Sequence, residues 1–275
     1  MRVLTHDRAL PHTAIRVRHE TRYRALEVVS AETLSPRMRR IVLGGDALAG
    51  FTTAAADDHV KLFLPAPGQQ RPASPILEAG GIRFPEGTAP PTVRDYTPRR
   101  FDPASLLLTI EFVLHGDGPA AAWAQAATPG QQVGIGGPRG SLLLADTYDT
   151  YLLAGDETAL PAIARRLEEM PPGVRAIALI EVETRGEERH LPTAASASIT
   201  WLPRNGRPAG DPELLLQALA ATRLPDGDTH AWIAAEIEVA RRLKAHLLEE
   251  RQIPAADIRS AGYWRHDAAI VGLVT

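Results

Sequence analysis

The segment RDYTPR, at residues 94–99, groups three side chains that suit a bound nucleotide. The guanidinium of Arg94 can bind a diphosphate, and the ring of Tyr96 can stack on a planar heterocycle. In an extended segment these two residues fall on one face, with the hydroxyl of Thr97 beside them. A surface arginine on an ordinary strand is the alternative interpretation, so the segment needs support from other motifs.

A second segment, VLHGDGPAAAWA at residues 113–124, reads as a strand, a glycine-rich turn and a helix of small residues. Free backbone N–H groups at a helix start can bind phosphate, and Gly116, Gly118 and Ala120 allow close approach. His115 in this turn is by itself more typical of a structural histidine than of an acid or base. An ordinary strand-to-helix turn remains the alternative.

Three further motifs follow along the chain. IGGPRGSLLL, at residues 135–144, is a tight turn that carries Gly140 and Ser141. LLAGDETALPAI, at residues 152–163, joins a buried strand to a helix without a GxGxxG pattern, and we expect its Asp156, Glu157 and Thr158 to cap that helix. SAGYWRHD, at residues 260–267, ends a strand with two aromatic residues, after which Arg265 and His266 read as exposed.

The composition excludes several classes of function. With no cysteine, the chain has no disulfide, no thiol nucleophile and no Cys-ligated zinc or iron–sulfur cluster. Any redox chemistry must therefore belong to a bound cofactor.

A net charge of −3 argues against nucleic acid as the main partner, because binding to phosphates needs an excess of basic residues. The sequence contains no apolar run of about 20 residues and no signal-peptide pattern at its start, so we predict a cytoplasmic protein without membrane insertion.

The two halves of the chain show different secondary-structure patterns, and a length of 275 residues is enough for two domains. The first half alternates like short strands, interrupted by a Pro- and Gly-rich loop at residues 65–91, and predicts an antiparallel β-barrel over residues 1–147. Beyond Asp149, strands alternate with helices, which predicts a parallel-sheet nucleotide-binding domain over residues 148–275. In the last helix, the apolar residues that share one face are Ile237, Ala240, Leu243 and Leu247.

In combination and in this order, the motifs resemble the siderophore-interacting protein family, whose members are flavin-dependent ferric-siderophore reductases of the ferredoxin-reductase superfamily. The resemblance runs from about Ile15 to Arg265. It is carried by LSPRMRRIVLGGDAL, DDHVKLFLP, RDYTPRRFD, FVLHGDGPAAAWA, GPRGS, LLAGDETALPAI, AWIAAE and GYWR. One departure is the turn HGDGPA, which is a glycine short of the common family pattern.

The resemblance implies FAD in the groove between the two domains, reduced by NADPH or NADH, with a ferredoxin as the alternative donor. Reduced flavin would pass single electrons to the iron of a ferric siderophore, and the weaker hold on ferrous iron would release it. No protein acid, base or iron ligand is required. FAD would contact Arg94, Tyr96, Thr97, His115, Gly118, Pro119, Ala120, Gly140 and Ser141; the nicotinamide dinucleotide would face Gly155, Asp156, Glu157, Thr158, Ala159, Ala235 and Glu236.

A pocket for an anionic ferric siderophore should be basic. We expect the positive charge from Lys61, one of only two lysines, and from Arg265, with Arg241 at the start of the exposed face of the last helix. Each of these could instead be an ordinary solvated charge.

Two other functions are compatible with the same motifs. One is an NAD(P)H:flavin oxidoreductase or electron-transfer flavoprotein that serves a protein partner, and the other is a siderophore-binding protein without catalysis. The choice between NADH and NADPH stays open, because the strand ending IEVETRGEE offers both acidic residues and Arg185.

Overall fold

The computed structural model describes residues 12–78, 81–116, 118–144 and 147–266. Two large sheets, one antiparallel and one parallel, account for most of these residues. In chain order the elements are β1 (Ile15–Arg18), β2 (Tyr23–Ser35), β3 (Met38–Gly44), β4 (Val60–Leu64), β5 (Ile76–Glu78), β6 (Gly81–Arg83), β7 (Thr92–Tyr96), β8 (Arg100–Asp102), β9 (Leu107–Val113), α1 (Pro119–Ala126), β10 (Gln132–Gly136), β11 (Gly140–Leu143), β12 (Thr150–Gly155), α2 (Leu160–Glu169), β13 (Arg175–Val182), β14 (Ser196–Pro203), α3 (Glu213–Ala221), β15 (Thr229–Glu236), α4 (Ile237–Glu249) and β16 (Ile258–Trp264).

The first sheet is antiparallel and curls around a single core. Its strand order is β7-β4-β10-β2-β3-β9-β8, and alternate side chains such as Leu26 and Val28 of β2 point inward. Helix α1 packs both on β7, at one edge of the sheet, and on β9, next to the other edge. The sheet must therefore be strongly curved, which confirms the predicted barrel-like first half.

The segment at residues 65–91 is more ordered than the loop we predicted. Strands β5 and β6 pair antiparallel inside it, with Ile76 opposite Arg83. Phe84, just after β6, places its ring 6.4 Å from that of Phe63 on β4, edge to face. The high content of Pro and Gly concealed this short strand pair.

The second sheet is parallel throughout, in the order β14-β13-β12-β15-β16. Its central strand β12, TYLLAG, is buried on both faces, as its continuous apolar run predicts. Helix α2 packs on one face of the sheet, and α3 and α4 pack on the other. The predicted α/β architecture is confirmed. The boundary between residues 147 and 148 stays a prediction; it falls between β11 and β12.

One residue on the predicted face of α4 is misplaced. Ala240, Leu243 and Leu247 are buried as expected, whereas Ile237 is 42% exposed and Val239 is buried in its place. Ile237 is the first residue of the helix, directly after β15, and therefore lies at the edge of the packed layer beside Gly262.

Within the described ranges, no helix is long and apolar enough to cross a membrane.

Candidate functional site

The RDYTPR segment forms β7 and the turn that follows it. Arg94 is exposed, and its Nη1 donates only to the backbone oxygen of Val93, at 2.8 Å; no carboxylate in the described part of the chain pairs with it. The ring of Tyr96 lies 4.4 Å from that of Phe112, and burial raises the pKa of the Tyr96 phenol. The segment therefore offers a free guanidinium beside a neutral aromatic ring.

Thr97 connects this strand to the second domain. It is buried, and its side chain lies close enough to Tyr263 on β16 to act on the pKa of that phenol. Tyr263 in turn packs edge to face on Trp232 of β15, with 6.2 Å between ring centres. From the sequence alone, the GYW motif could have been explained by core packing. In the structure, its Tyr263 lies beside the RDYTPR segment of the first domain.

The glycine-rich turn before α1 faces open space. A Cβ added to Gly116, whose φ is +52°, would meet nothing within 4 Å, and one added to Gly118 would meet only the backbone oxygen of His115, at 4.0 Å. The first N–H that bonds within the helix is that of Ala122, to the oxygen of Gly118 at 2.9 Å. The N–H groups of Ala120 and the next residue are thus left to bind an anion. His115 is exposed, so it is not a buried structural histidine.

Together, Arg94, Tyr96, His115, Gly116 and residues 118–120 fit FAD. A free guanidinium and open N–H groups suit a diphosphate, and the room above the glycines admits close approach.

Gly140 and Ser141 serve the frame of the groove. A Cβ on Gly140 would lie 2.4 Å from the oxygen of Val17, so the pairing of β1 with β11 requires glycine there. Ser141 is buried; its Oγ donates to Asp58 Oδ2, at 2.6 Å, and bonds with His19 Nε2, at 2.7 Å. Both residues shape the neighbouring loop rather than present free polar groups.

The GDETA turn at the carboxyl end of β12 is held by a buried carboxylate. Asp156 Oδ1 accepts from the backbone N–H of Thr158, at 2.9 Å, and Oδ2 accepts from Trp264 Nε1, at 2.7 Å, and from the N–H of Glu236, at 3.1 Å. Burial, and then the nearby charge of Glu157, raise the pKa of Asp156. The expected helix cap is wrong: the cap residue is Ala159, without a side-chain bond, because Asp156 is engaged across the sheet.

Other acidic residues at this end of the sheet are also engaged internally. Arg204 makes two bonds of 2.6 Å to Glu157 and one of 3.3 Å to Glu181. Burial raises the pKa of Glu181 to about 8, against the opposing effect of Arg204. Glu236 caps α4 by accepting from the N–H of Val239, at 3.2 Å, and from that of the preceding residue.

The remaining residues expected at the dinucleotide site have small side chains or none. Gly155, Ala159 and Ala235 are buried, and a Cβ on Gly155 would lie 2.3 Å from the oxygen of Ala234. A dinucleotide would therefore meet mainly backbone at this edge, the carboxyl end of the parallel strands.

The three expected basic residues occupy separate positions. Lys61 Nζ pairs with Asp95 Oδ1 across β4 and β7, at 3.1 Å. Arg241 pairs with Glu238 on its own helix, and Arg265 is exposed just after β16. Among the residues that the structure describes, no contact joins the three, so the shared basic pocket stays a prediction.

Sequence reasoning missed the residues that fasten the two domains together. Arg165 of α2 is buried and donates to Thr53 Oγ1, at 2.9 Å, and to the oxygen of Pro98, at 2.8 Å. Arg259 at the start of β16 pairs with Asp57. An arginine in an amphipathic helix gives no sign of a partner so distant in sequence, so no local pattern could have identified these contacts.

Comparisons with known proteins cover almost the whole chain. A family model described as siderophore-interacting FAD-binding domain matches residues 27–142, and one described as siderophore-interacting protein matches residues 148–267. The NADPH-dependent ferric-chelate reductase of Escherichia coli is 37% identical over 257 residues, 92% of this chain and 97% of that protein. The ferric vibriobactin reductase of Vibrio cholerae is 31% identical over 245 residues, 88% of this chain and 89% of that one. The crystal structure of a siderophore utilization protein from T. fusca has a TM-score of 0.85 at 39% identity and covers 94% of this chain and 99% of its own.

Proposed function

The chain belongs to the siderophore-interacting protein family, and we propose that it is an FAD-dependent reductase of ferric siderophores with NADPH as electron donor. The observation that carries the proposal is the free guanidinium of Arg94 beside Tyr96 and the open turn before α1. Relatives that reduce a ferric chelate and ferric vibriobactin support the same reaction class. We assign FAD binding to residues 1–147 and NADPH binding to residues 148–275.

FAD, when bound, accepts a hydride from a nicotinamide and gives up electrons one at a time. Arg94 and the N–H groups at the start of α1 would hold its diphosphate, and Tyr96 would lie against its ring system. Because burial raises the pKa of Tyr96, its phenol stays neutral and leaves the charge near the ring unchanged. Thr97 lies beside Tyr263, and the bond from Arg165 to the oxygen of Pro98 keeps this strand against the second domain, where the donor would enter.

The substrate is ferric iron, a hard cation that a siderophore holds with anionic oxygens. Ferrous iron is bound far less tightly by the same ligands, so reduction releases the metal without any iron ligand from the protein. Lys61, Arg241 and Arg265 would attract an anionic chelate, mainly by steering its approach.

NADPH is favoured over NADH by the engagement of one acidic residue. Glu183, just after β13, binds Arg37 Nη2, at 2.8 Å, and is therefore occupied, whereas the nearby Arg185 is exposed. An acidic residue at such a strand end would bind the ribose of NADH, and a free arginine suits the extra phosphate of NADPH. The NADPH-dependent relative also favours a nicotinamide donor over ferredoxin. Because this donor is regenerated inside the cell, we assign the protein to the cytoplasm.

An anaerobic absorption experiment tests the proposal. FAD-loaded protein should be yellow, should bleach with NADPH, and should recover its colour when a ferric catecholate siderophore is added, while ferrozine traps the ferrous product. Protein without FAD is the control and should release no ferrous iron. Recovery with free flavin but not with the siderophore would favour the flavin oxidoreductase, and siderophore binding without bleaching would favour the non-catalytic binding protein.

A further inference from the structure

A cleft of about 250 Å³ lies at one end of the first sheet. None of its lining residues is assigned above to FAD, NADPH or siderophore, although it adjoins Gly140 and Ser141 through the pairing of Arg18 and the side chain of His19. It is bounded by the end of β1, the start of β2 and the turn after β10, and its lining includes Arg18, His19, Arg24, Thr52 and Pro138. This volume is several times the roughly 30 Å³ that one water occupies in the liquid. The cleft can therefore hold a small ligand.

Arg24 is a buried cation without a counter-ion. Its residue is only 4% exposed, and its Nε has no hydrogen-bond partner. Its contacts are a long bond from Nη1 to the oxygen of Arg22, at 3.4 Å, and the ring of Phe51, 5.4 Å from the guanidinium carbon. No carboxylate among the described residues forms an ion pair with it. A buried charge is costly unless it is paired, so this side chain is poised for an anion that enters the cleft.

The other charges around the cleft leave it positive. Glu20 also lines it, but its Oε1 accepts from Arg22 Nε, at 2.9 Å, so those two charges offset each other. Arg18 is exposed at the mouth and adds a second cation to that of Arg24. His19 is oriented by its bond to Ser141 Oγ, at 2.7 Å.

We propose that this cleft binds a small oxyanion, a phosphate or a carboxylate, with Arg24 as the main ligand and Arg18 as the second. The planar guanidinium, with its fork of donors, matches both of these groups. Burial, and then the charge of Arg22, lower the pKa of Arg24 against the smaller opposing effect of Glu20, and a bound anion would relieve this unfavourable environment. None of the residues proposed to bind the anion is assigned to the proposed reductase activity.

The test uses the FAD-saturated protein, so that phosphate cannot occupy the flavin site. Inorganic phosphate should raise the thermal unfolding midpoint above that measured in sodium chloride of equal ionic strength, because a ligand that binds only the folded state stabilises it. Arg24→Met should lose this rise and weaken the calorimetric Kd at least tenfold. The matched control is Arg16→Gln, an exposed arginine of β1 outside the cleft, which should keep the wild-type response. Titration with acetate in place of phosphate shows which oxyanion binds more tightly.

A second variant makes the test independent of how well Arg24→Met folds. Arg18→Gln lies at the surface and should weaken phosphate binding about threefold, while NADPH-dependent iron release in phosphate-free buffer stays at the wild-type rate. Absence of a phosphate effect in the wild type would overturn the proposal. Wild-type affinity in Arg18→Gln, or in a folded Arg24→Met, would also overturn it.

Discussion

Arg94 is the residue on which cofactor retention should depend most directly. Its guanidinium is exposed and bonds only to a neighbouring backbone oxygen, so Arg94→Gln removes a ligand without leaving a buried group unpaired. A hydrogen bond to a charged group contributes about 1.5–3 kcal/mol, so we expect the Kd for FAD to rise roughly 10- to 150-fold. Quenching of flavin fluorescence measures this Kd. Arg100→Gln, a change at the exposed first residue of β8, should bind FAD normally, and wild-type affinity in Arg94→Gln would rule out the assigned role.

Lys61 and Arg265 should act on the substrate through their charge. The double change Lys61→Ala with Arg265→Ala should raise KM for an anionic ferric siderophore roughly two- to tenfold, since exposed contacts are worth about 0–1 kcal/mol each. A neutral siderophore should be affected less, and salt should reproduce part of the loss in the wild type. Because Asp95 partly offsets the charge of Lys61, Asp95→Asn should lower the same KM.

Steady-state kinetics with both siderophores check this prediction. Lys244→Ala, a change at the other lysine of the chain, is the control and should leave KM unchanged. Equal losses for the anionic and the neutral substrate, without a salt effect, would show that the residues act through structure rather than charge.

At the scale of elements, the carboxyl end of the parallel sheet should make stability depend on pH. Burial raises the pKa of Glu181 in the folded state to about 8, while its ordinary value is 4.5. Between these values the folded protein holds a proton that the unfolded chain has lost, so stability must fall as pH rises through this window, by at most about 1.4 kcal/mol per pH unit. Glu181→Gln cannot titrate and should flatten the decline between about pH 5 and 8.

Unfolding midpoints measured across this pH range test the prediction. Glu188→Gln, at an exposed position after the same strand, should show the wild-type pH profile. A wild-type profile in Glu181→Gln as well would mean that this carboxyl does not govern the decline.

Local patterns predicted most elements because each element has its own signal. The apolar run TYLLAG predicted β12, and Pro119 marked the start of α1. The same patterns misjudged Asp156: its short polar side chain is typical of a helix cap, yet its partner Trp264 lies 108 residues away. Contacts between elements depend on how those elements are arranged in space, and a local sequence pattern carries no information about that arrangement.

At the scale of the whole molecule, the site is formed by the meeting of two domains. The sequence predicted both architectures and singled out the strand that carries Arg94, since each depends on neighbouring residues. It gave no indication that Arg165 would bind Thr53, because those residues are 112 positions apart. The relative placement of flavin and donor therefore depends on interface residues that carry no motif.

Glu111 of β9 lies at the interface between the two domains. Its substitution should lower the stability of the protein and the rate of flavin reduction more than its affinity for FAD. Its carboxylate is fully buried and binds Arg40, at 2.8 Å, and Arg99, at 3.6 Å, in the first domain, and Arg189, at 2.9 Å, in the second. Glu111→Gln leaves these three cations without their shared counter-ion. We expect the unfolding midpoint to fall by roughly 6 °C or more, since breaking a buried pair costs about 3–5 kcal/mol and each kcal/mol shifts the midpoint by about 2–4 °C in a chain of this size.

The same change should slow the bleaching of bound flavin by NADPH in stopped-flow mixing more than it weakens FAD binding, because Glu111 fixes the second domain against the first and touches no residue assigned to FAD. Glu32→Gln is the matched control. Its carboxylate also binds Arg40, at 2.9 Å, but it is more than half exposed and contacts only the first domain. It should therefore keep both the midpoint and the bleaching rate. If Glu111→Gln loses stability but bleaches at the wild-type rate, the buried cluster stabilises the fold without setting the geometry between donor and flavin.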